Sequence, residues 1–321
     1  MVQQSGDASP SAPTTEASLR RYRDAEDWPR DEALAAMLEN QIGAFVAVRA
    51  ALPAIGAAVA EAAARLGAEG RLIYCGAGAS GRLAAQDGVE LYPTFGWPLE
   101  RLHFLMAGGE PALVRAVEGA EDDAQAGRQE MLALRPGPAD VVLSVAASGT
   151  TRYTRAVQAA AREAGAVTVG FSNNPAAPLL REAEFPVALE TGPEFLAGST
   201  RMSAGTAQKI ALNLFSTRLM TELGRVYRGL MVNVVATNAK LVERSKRIIA
   251  TLAEAPLEDA AAAWDASGGD IARAVLMIDG FGRDEAAARL RTAGNNLRRA
   301  REMAAAERGA RGRDGGGRDG G

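Results

Sequence analysis

Side chains that build disulfide frameworks and metal clusters are almost missing from this chain of 321 residues, which has one cysteine, Cys75, and one histidine, His103. A lone cysteine cannot form a disulfide within the chain, and it cannot supply a Cys-rich metal site. One histidine excludes a multi-His metal cluster and any catalytic scheme that needs two imidazoles.

Long uncharged apolar runs and an excess of basic residues are also absent. Lys and Arg number 36 and Asp and Glu number 39, so the formal net charge is −3 and no basic surplus indicates nucleic-acid binding. The sequence has no uncharged run of about 18 apolar residues, and its polar start lacks the apolar segment of a secretory signal. We therefore expect a cytoplasmic protein with no membrane or nucleic-acid partner.

Composition separates four stretches of the chain. Residues 1–18 are rich in Ser, Pro, Thr and Ala, residues 304–321 are rich in Gly and Arg, and both are predicted to be disordered tails. Residues 19–252 alternate between strand and helix patterns and form the main predicted domain. Residues 257–303 predict a separate small unit of three helices.

Short apolar runs predict five strands, at residues 71–75, 102–106, 140–145, 166–171 and 185–189. Apolar residues at helical spacing predict helices around them, among others at residues 31–66, 111–134, 200–223 and 236–252. Strands that alternate with helices are typical of parallel β-α-β units, so the predicted fold is α/β with a five-stranded parallel sheet. Ligands of such sheets bind at the carboxyl ends of the strands.

Two glycine-containing loops follow predicted strands and precede predicted helices. The first, GAGASGR, contains Ser80, and the second, AASGTTR, contains Ser148, Thr150 and Thr151. Backbone N–H groups at a helix N-terminus bind phosphate, and hydroxyl groups add further donors. Ser and Thr also serve as ordinary helix caps, but two such loops at one edge of a sheet favour a phosphate site.

The first loop also matches the dinucleotide-binding pattern G-x-G-x-x-G, at Gly76, Gly78 and Gly81. That pattern needs an acidic residue about 20 residues further on, at the end of the second strand. The second predicted strand is followed by Ala-Gly-Gly, and Glu110 comes only after them. Because the acidic partner is misplaced and the second loop has no role in dinucleotide binding, a sugar phosphate is the favoured ligand.

Two acidic clusters offer candidates for acid–base chemistry. Asp87 and Glu90 lie at the end of the helix after the first loop, and Glu118 and Glu121 lie in the stretch AVEGAEDD. Charge runs of this kind usually form solvated helix faces. The apolar neighbours of Glu90 predict that it is partly enclosed, as suits a general acid at neutral pH. The residues alone leave the choice between Glu118 and Glu121 open.

Five motifs follow one another along residues 68–250: RLIYCGAGASGRLAAQDGVELYPTFG, AGGEPALVRAVEGAEDD, AASGTTRYT, GPEFLAGSTRMSAGTAQK and LMVNVVATNAKL. In this order they resemble the motifs of the N-acetylmuramic acid 6-phosphate etherases, and the fourth is also similar to the glucokinase regulatory proteins. Ala79, Arg152 and Ser203 depart from the Thr, Pro and Lys that are usual in the etherases.

The resemblance implies a sugar isomerase (SIS) fold, which is a three-layer sandwich around the five-stranded sheet, in a homodimer that needs no metal or cofactor. It implies a lyase of peptidoglycan recycling that cleaves the D-lactyl ether of N-acetylmuramic acid 6-phosphate to N-acetylglucosamine 6-phosphate and D-lactate. The family's catalytic glutamates fall on Glu90 as acid and Glu121 as base. Its substrate-binding and phosphate-binding positions fall on Ser80, Gly81, Ser148, Gly149, Thr150, Thr151, Glu194 and Ser199.

Two other functions are compatible with the phosphate loops. A non-catalytic sugar-phosphate sensor, like the glucokinase regulatory proteins, would keep the loops but would not need both glutamates. An aldose-ketose sugar-phosphate isomerase of the same fold also removes a proton next to a carbonyl, but the GPE and GSTR segments argue against it. The presence of both glutamates favours the etherase.

Overall fold

The computed structural model describes Thr15 and residues 17–314, so most of the predicted N-terminal tail and the end of the predicted C-terminal tail lie outside the described residues. The chain forms two compact units. The first comprises the residues up to Gly88 together with Glu100–Ser216. The second comprises Val89–Leu99 together with the residues from Thr217 onward.

The predicted five-stranded parallel sheet is confirmed, and it forms the centre of the first unit. Its strands are β1 (Leu72–Gly76), β2 (Leu102–Met106), β3 (Val141–Val145), β4 (Val167–Ser172) and β5 (Phe185–Ala188). They lie in the order β2-β1-β3-β4-β5, and every neighbouring pair is parallel. Each strand begins within one residue of its predicted start.

Every residue of β1, β3 and β4 is buried, whereas the edge strands β2 and β5 are buried in part. Strands with helices on both faces are apolar along their whole length, because neither side meets water. This explains why the sequence shows runs such as VVLSV in place of alternating polar and apolar residues.

The α-helices are numbered along the chain. They are α1 (Arg30–Leu66), α2 (Gly78–Val89), α3 (Leu91–Phe95), α4 (Ala124–Ala133), α5 (Arg152–Glu163), α6 (Pro178–Glu182), α7 (Ser203–Glu222), α8 (Ala239–Ala253), α9 (Leu257–Ser267), α10 (Ile271–Ile278), α11 (Arg283–Thr292) and α12 (Leu297–Asp314). Short 3-10 helices lie at Arg20–Tyr22, Ala25–Asp27, Leu99–Arg101, Glu110–Leu113 and Ala120–Asp122.

Helix α1 buries mainly alanines and leaves a line of large apolar residues exposed to solvent. Its buried residues are mostly alanines, among them Ala36, Ala44, Ala47, Ala51, Ala58 and Ala62. Along its other side runs a stripe of apolar residues that are between 47 and 67 % exposed, here called the α1 stripe: Leu34, Leu38, Ile42, Phe45, Val46 and Leu52. By length and composition alone this helix could cross a membrane, although 39 % of its most apolar window is buried inside the protein.

The helix predicted over residues 111–134 is wrong in its first half. Residues Glu110–Leu113 and Ala120–Asp122 form short 3-10 helices, and the α-helix begins only at Ala124. Gly119 has a φ angle of 71°, in the left-handed region that a right-handed helix cannot contain. The chain therefore changes direction just before the acidic stretch.

The second unit is mainly helical. It contains α3, α8 to α12 and a short antiparallel hairpin of β6 (Val226–Tyr227) and β7 (Leu230–Met231). Its core is formed by side chains of these helices, including Ile249, Leu252, Trp264, Val275, Leu276, Leu290 and Leu297.

The C-terminal helical unit holds four helices, α9 to α12, where three were predicted. Gly294 and Asn295 both have positive φ angles and so separate α11 from α12. Helix α12 continues to Asp314, which differs from the disorder predicted from residue 304. The Ala, Glu and Arg residues of this stretch are good helix formers, and this favours the longer helix.

Candidate active site

The two glycine-containing loops flank the point where the strand order of the sheet reverses. Strands β1 and β3 are neighbours, but the chain runs from β1 to β2 on one side and from β3 to β4 on the other. Both loops start at the carboxyl ends of these two parallel strands, as predicted. The crevice at such a switch point is where open α/β sheets bind their ligands.

The first loop brings the end of β1 close to the first turn of α2. A Cβ atom placed on Gly81 would lie 2.8 Å from the carbonyl carbon of Gly76 and 2.3 Å from the sulfur of Met106. Only glycine fits this contact, so the spacing of the motif reflects backbone packing. Ser80 lies beside it in the first turn of α2 and is buried.

The second loop arranges its hydroxyl groups around Gly149, which has a φ angle of 66°. The hydroxyl oxygens of Ser148 and Thr150 are 2.9 Å apart, and Thr150 N donates to Ser148 Oγ at 3.2 Å. Thr151 is the N-cap residue of α5, but its side chain makes no capping hydrogen bond. A threonine at this position usually accepts a hydrogen bond from a backbone N–H of the first helical turn, and Thr151 does not do so.

A cavity of about 380 Å³ lies at the carboxyl ends of β1 and β2 in the first unit. Both acidic candidates, Glu118 and Glu121, line it, so the cavity does not distinguish between them. The rest of its wall is mostly small and apolar and includes Ala77, Gly78, Met106, Ala107, Ala112, Ala116 and Val117. Exposed carboxylates beside a small cavity can exchange protons with a bound ligand.

Arg82, the last residue of the first loop motif, also lines this cavity. Its guanidinium donates to the carbonyl oxygens of Ala112, Leu113 and Arg115, at 3.0, 3.2 and 3.2 Å. Sequence reasoning gave Arg82 no role, because hydrogen bonds to backbone carbonyls 30 or more residues away leave no mark in the sequence.

Glu90 lies in the second unit, directly after α2 in the chain and at the N-cap of α3. Its side chain is exposed, so the predicted partial enclosure is wrong. Of the two apolar neighbours that motivated the prediction, Leu91 is buried but Val89 is exposed.

The enclosed carboxylate of this motif is Asp87, which is 5 % exposed. It accepts hydrogen bonds from Tyr74 Oη at 2.8 Å, from Ser216 Oγ at 3.1 Å and from the side-chain amide of Asn213. Burial raises the pKa of this carboxyl, and the three hydrogen bonds partly offset the effect. Asp87 thus joins α2 to β1 and to α7.

Glu194 of the GPE segment is buried, and both of its carboxylate oxygens are occupied. They accept hydrogen bonds from Ser203 N and Ala204 N, each at 2.9 Å, and so cap the N-terminus of α7. Ser203, the first residue of α7, donates its hydroxyl to Asn40 Oδ1 of α1 at 2.6 Å. Ser199 lies between them in a turn and is partly buried.

Comparison with known proteins identifies the family. The family described as glucokinase regulatory protein N-terminal SIS domain matches residues 54–161. An N-acetylmuramic acid 6-phosphate etherase of Deinococcus radiodurans is 50 % identical to the chain over 278 residues, which cover 86 % of this chain and 91 % of that protein. The chain belongs to the N-acetylmuramic acid 6-phosphate etherase family.

Other members of the etherase family match at similar levels. One from Rubrobacter xylanophilus is 47 % identical over 245 residues, 76 % of this chain and 81 % of the relative. Among solved structures, a phosphoheptose isomerase from Francisella tularensis covers 61 % of this chain and 98 % of its own, with 18 % identity and a TM-score of 0.43.

Proposed function

We propose that the chain is a carbon–oxygen lyase that cleaves the D-lactyl ether of N-acetylmuramic acid 6-phosphate and releases N-acetylglucosamine 6-phosphate and D-lactate. The observation that carries the proposal is the 50 % identity to an etherase over 86 % of the chain. The crevice at the switch point between β1 and β3, and the carboxylates that line the neighbouring cavity at the ends of β1 and β2, support it.

The phosphate of the sugar is proposed to bind between the two loops. Ser148, Thr150 and Thr151 supply hydroxyl groups, and the first turn of α5 supplies N–H groups that have no partner within a helix. Thr151 does not cap α5, so the N–H groups of the first turn have no side-chain acceptor. A bound phosphate would accept hydrogen bonds from these N–H groups instead, which supports the proposed position. Ser80, Gly81 and Gly149 complete the proposed set on the loops, and Ser199 adds a hydroxyl from the GSTR segment.

Glu194 is proposed to contact the substrate and also to hold the neighbouring segment of the chain in place. Since its carboxylate caps α7, it holds the segment that carries Ser199 against the N-terminus of that helix. A direct contact of Glu194 with the sugar would use the lone pairs that these two hydrogen bonds leave free.

The proposed chemistry is elimination followed by addition of water. In the open-chain sugar the C2 hydrogen is acidified by the C1 aldehyde. Glu121 takes this proton, the electrons of the C2–H bond form the C2–C3 double bond, and the C3–O bond to lactate breaks. Glu90 gives its proton to the departing lactate oxygen. Water then adds at C3, and a proton returns to C2.

We also propose that the protein is a homodimer whose interface includes the α1 stripe. A stripe of six large apolar side chains between 47 and 67 % exposed is more than scattered surface residues require, and it marks an interaction site. On α7, by contrast, Leu212, Phe215, Leu219 and Met220 are buried in the core of the single chain. A second copy covering the α1 stripe also accounts for the apolar composition of α1 without a membrane.

Helix α1 connects this surface to the site. Asn40 donates to Pro193 O of the GPE segment at 3.3 Å and accepts from Ser203 at the start of α7. A dimer formed through α1 would therefore lie close to the segment that Glu194 holds. We place the enzyme in the cytoplasm, where phosphorylated amino sugars are recycled.

The test is release of D-lactate from N-acetylmuramic acid 6-phosphate by the purified chain, measured with a D-lactate dehydrogenase. We expect lactate and N-acetylglucosamine 6-phosphate in equal amounts, and no release from the unphosphorylated sugar. A sensor of the glucokinase regulatory kind would bind the phosphate sugar without releasing lactate. An isomerase would convert an aldose phosphate to a ketose phosphate instead.

A further inference from the structure

Residues 108–122, here called the acidic segment, carry Glu121 between β2 and α4. The backbone hydrogen bonds described within the segment close its own turns, as Asp122 N does with Gly119 O at 3.1 Å. Such bonds fix local shape but not the distance of the segment from the sheet. Ala120 packs against the core, which anchors the end of the segment nearest α4.

The first half of the acidic segment buries Ala112 and is also held by Arg82, which reaches it from α2. Nε of Arg82 lies 3.0 Å from Ala112 O and 3.2 Å from Leu113 O, and Nη2 lies 3.2 Å from Arg115 O. A charged guanidinium makes stronger hydrogen bonds than a neutral donor, and its planar fork serves several acceptors at once. Helix α2 is a firm support, because Gly81 packs directly on the end of β1.

Arg82 and Glu121 line the same cavity. Among the residues that the structure describes, Arg82 forms no ion pair with Glu121 or Glu118, and its Nε and Nη2 atoms donate to backbone carbonyl oxygens. A carboxylate that has to accept a proton is a better base when no cation neutralises it. The guanidinium therefore holds the segment without pairing with the base.

We propose that Arg82 is a positioning residue that holds the acidic segment so that Glu121 meets the C2 hydrogen of the substrate. The proposal rests on the proposed function, because it takes Glu121 as the base. A displacement of about 1 Å in a catalytic group can cost on the order of 10²-fold in rate. Lysine would keep the charge but could not serve three carbonyl oxygens with one planar group.

The test compares Arg82→Lys with a matched control, Arg101→Lys. Arg101 also donates to three backbone carbonyl oxygens, those of Gly70, Leu66 and Gly67, but at the amino edge of the sheet. Both variants lose a guanidinium that ties backbone together, and circular dichroism establishes that each is folded. Exchange of the C2 hydrogen in deuterated water and release of D-lactate are then measured on N-acetylmuramic acid 6-phosphate.

For Arg82→Lys we expect C2 exchange and lactate release to fall together, by about 10- to 100-fold. KM should change by less than about threefold, because the hydroxyl and backbone N–H groups proposed to bind the phosphate are untouched. Arg101→Lys should keep both rates near wild type. A raised KM with unchanged kcat would mean that Arg82 binds substrate directly. Unchanged C2 exchange in a folded Arg82→Lys variant would mean that Arg82 has only a structural role. Either result overturns the proposal.

A readout that needs no substrate separates this proposal from the proposed function. Amide hydrogen exchange, followed by mass spectrometry, should speed up in the acidic segment of Arg82→Lys but not in that of Arg101→Lys. If the wild type releases no lactate, the proposed function fails while this comparison still decides whether Arg82 holds the segment. Unchanged protection of residues 108–122 in Arg82→Lys would show that it does not.

Discussion

Arg71 and Asp140 form a two-point ion pair at the amino edge of the sheet, where Arg71 Nε lies 3.0 Å from Asp140 Oδ1 and Nη2 lies 2.6 Å from Oδ2. The carboxylate also accepts hydrogen bonds from the backbone N–H groups of Arg71 and Gly137, each at 3.0 Å. Burial alone would raise the pKa of Asp140, but these hydrogen bonds outweigh it and lower the pKa below its ordinary value. The pair joins the starts of β1 and β3.

The first prediction concerns the pH dependence of stability. Because the folded state lowers the pKa of Asp140, the carboxylate stabilises the fold above its unfolded pKa of about 3.9, and this contribution is lost as the pH falls through the folded value. Asp140→Asn should lower the free energy of unfolding by about 1–3 kcal/mol at pH 7. In urea titrations from pH 7 to pH 3, the difference from wild type should shrink in the acid range.

The control for this prediction is Glu163→Gln, which removes one partner of an exposed ion pair with Arg128. It should change the free energy of unfolding little at any pH, because water and salt screen exposed pairs. A deficit of Asp140→Asn that stayed constant down to pH 3 would contradict the role given to its charge.

The second prediction tests the phosphate site. Ser148→Ala should raise KM for the phosphorylated sugar about tenfold or more, since one lost charge-assisted hydrogen bond is worth about 1.5–3 kcal/mol. The free energy of unfolding should stay close to that of wild type, because the partner of Ser148 Oγ is the exposed Thr150. Steady-state kinetics of lactate release measure the effect. An unchanged KM would leave Ser148 with a turn-forming role only.

The third prediction concerns the close contact of Gly81 with Gly76. Gly81→Ala should destabilise the protein by about 1–3 kcal/mol, because the new methyl group would overlap the backbone of β1. Gly56→Ala is the matched control, since Gly56 lies within α1 with no atom within 4 Å of the added Cβ. That change should stabilise the helix by about 1 kcal/mol. Thermal unfolding of the two variants should therefore shift in opposite directions.

The fourth prediction separates the two glutamates. Proton removal at C2 and protonation of the lactate oxygen are different steps, so they can fail independently. Glu90→Ala and Glu121→Ala should each lose lactate release by about 10²–10⁴-fold. In deuterated water, Glu90→Ala should still exchange the C2 hydrogen, whereas Glu121→Ala should not. The opposite pattern would exchange the two roles, and full lactate release by both variants would remove both from catalysis.

The fifth prediction concerns the α1 stripe. Phe45→Glu should convert the homodimer to monomers, because it places a charge on a residue that is 62 % exposed in the single chain and apolar in the proposed interface. Leu132→Glu changes a similarly exposed leucine on α4 and should leave the dimer intact. Sedimentation at micromolar concentration distinguishes the two. A dimeric Phe45→Glu would place the interface elsewhere.

The strands could be predicted closely because each is a short, mostly apolar run, and such runs between helical patterns indicate buried strands. The acidic segment could not, because Leu113, Val114 and Val117 have helical spacing in the sequence yet are all exposed in the structure. The left-handed backbone of Gly119 separates them from α4.

Site residues on the two loops could be found from sequence because their chemistry is local. Ser148 and Thr150, for example, contact each other two residues apart. Arg82 and Asp87 could not be found in the same way, because their partners lie on other elements of the fold. Neighbours in sequence were also a poor guide to the exposure of Glu90, since adjacent side chains on a helix point in different directions.

Cys75 gives the protein a useful property as a reagent. It lies in β1 with no solvent exposure, and burial raises the pKa of its thiol, so the reactive thiolate is scarce in the native state. A cysteine introduced on the surface would therefore be the one site that a maleimide dye labels, which makes single-label fluorescence possible without removing the native residue. Conversely, alkylation of Cys75 itself would count the molecules in which strand β1 has opened.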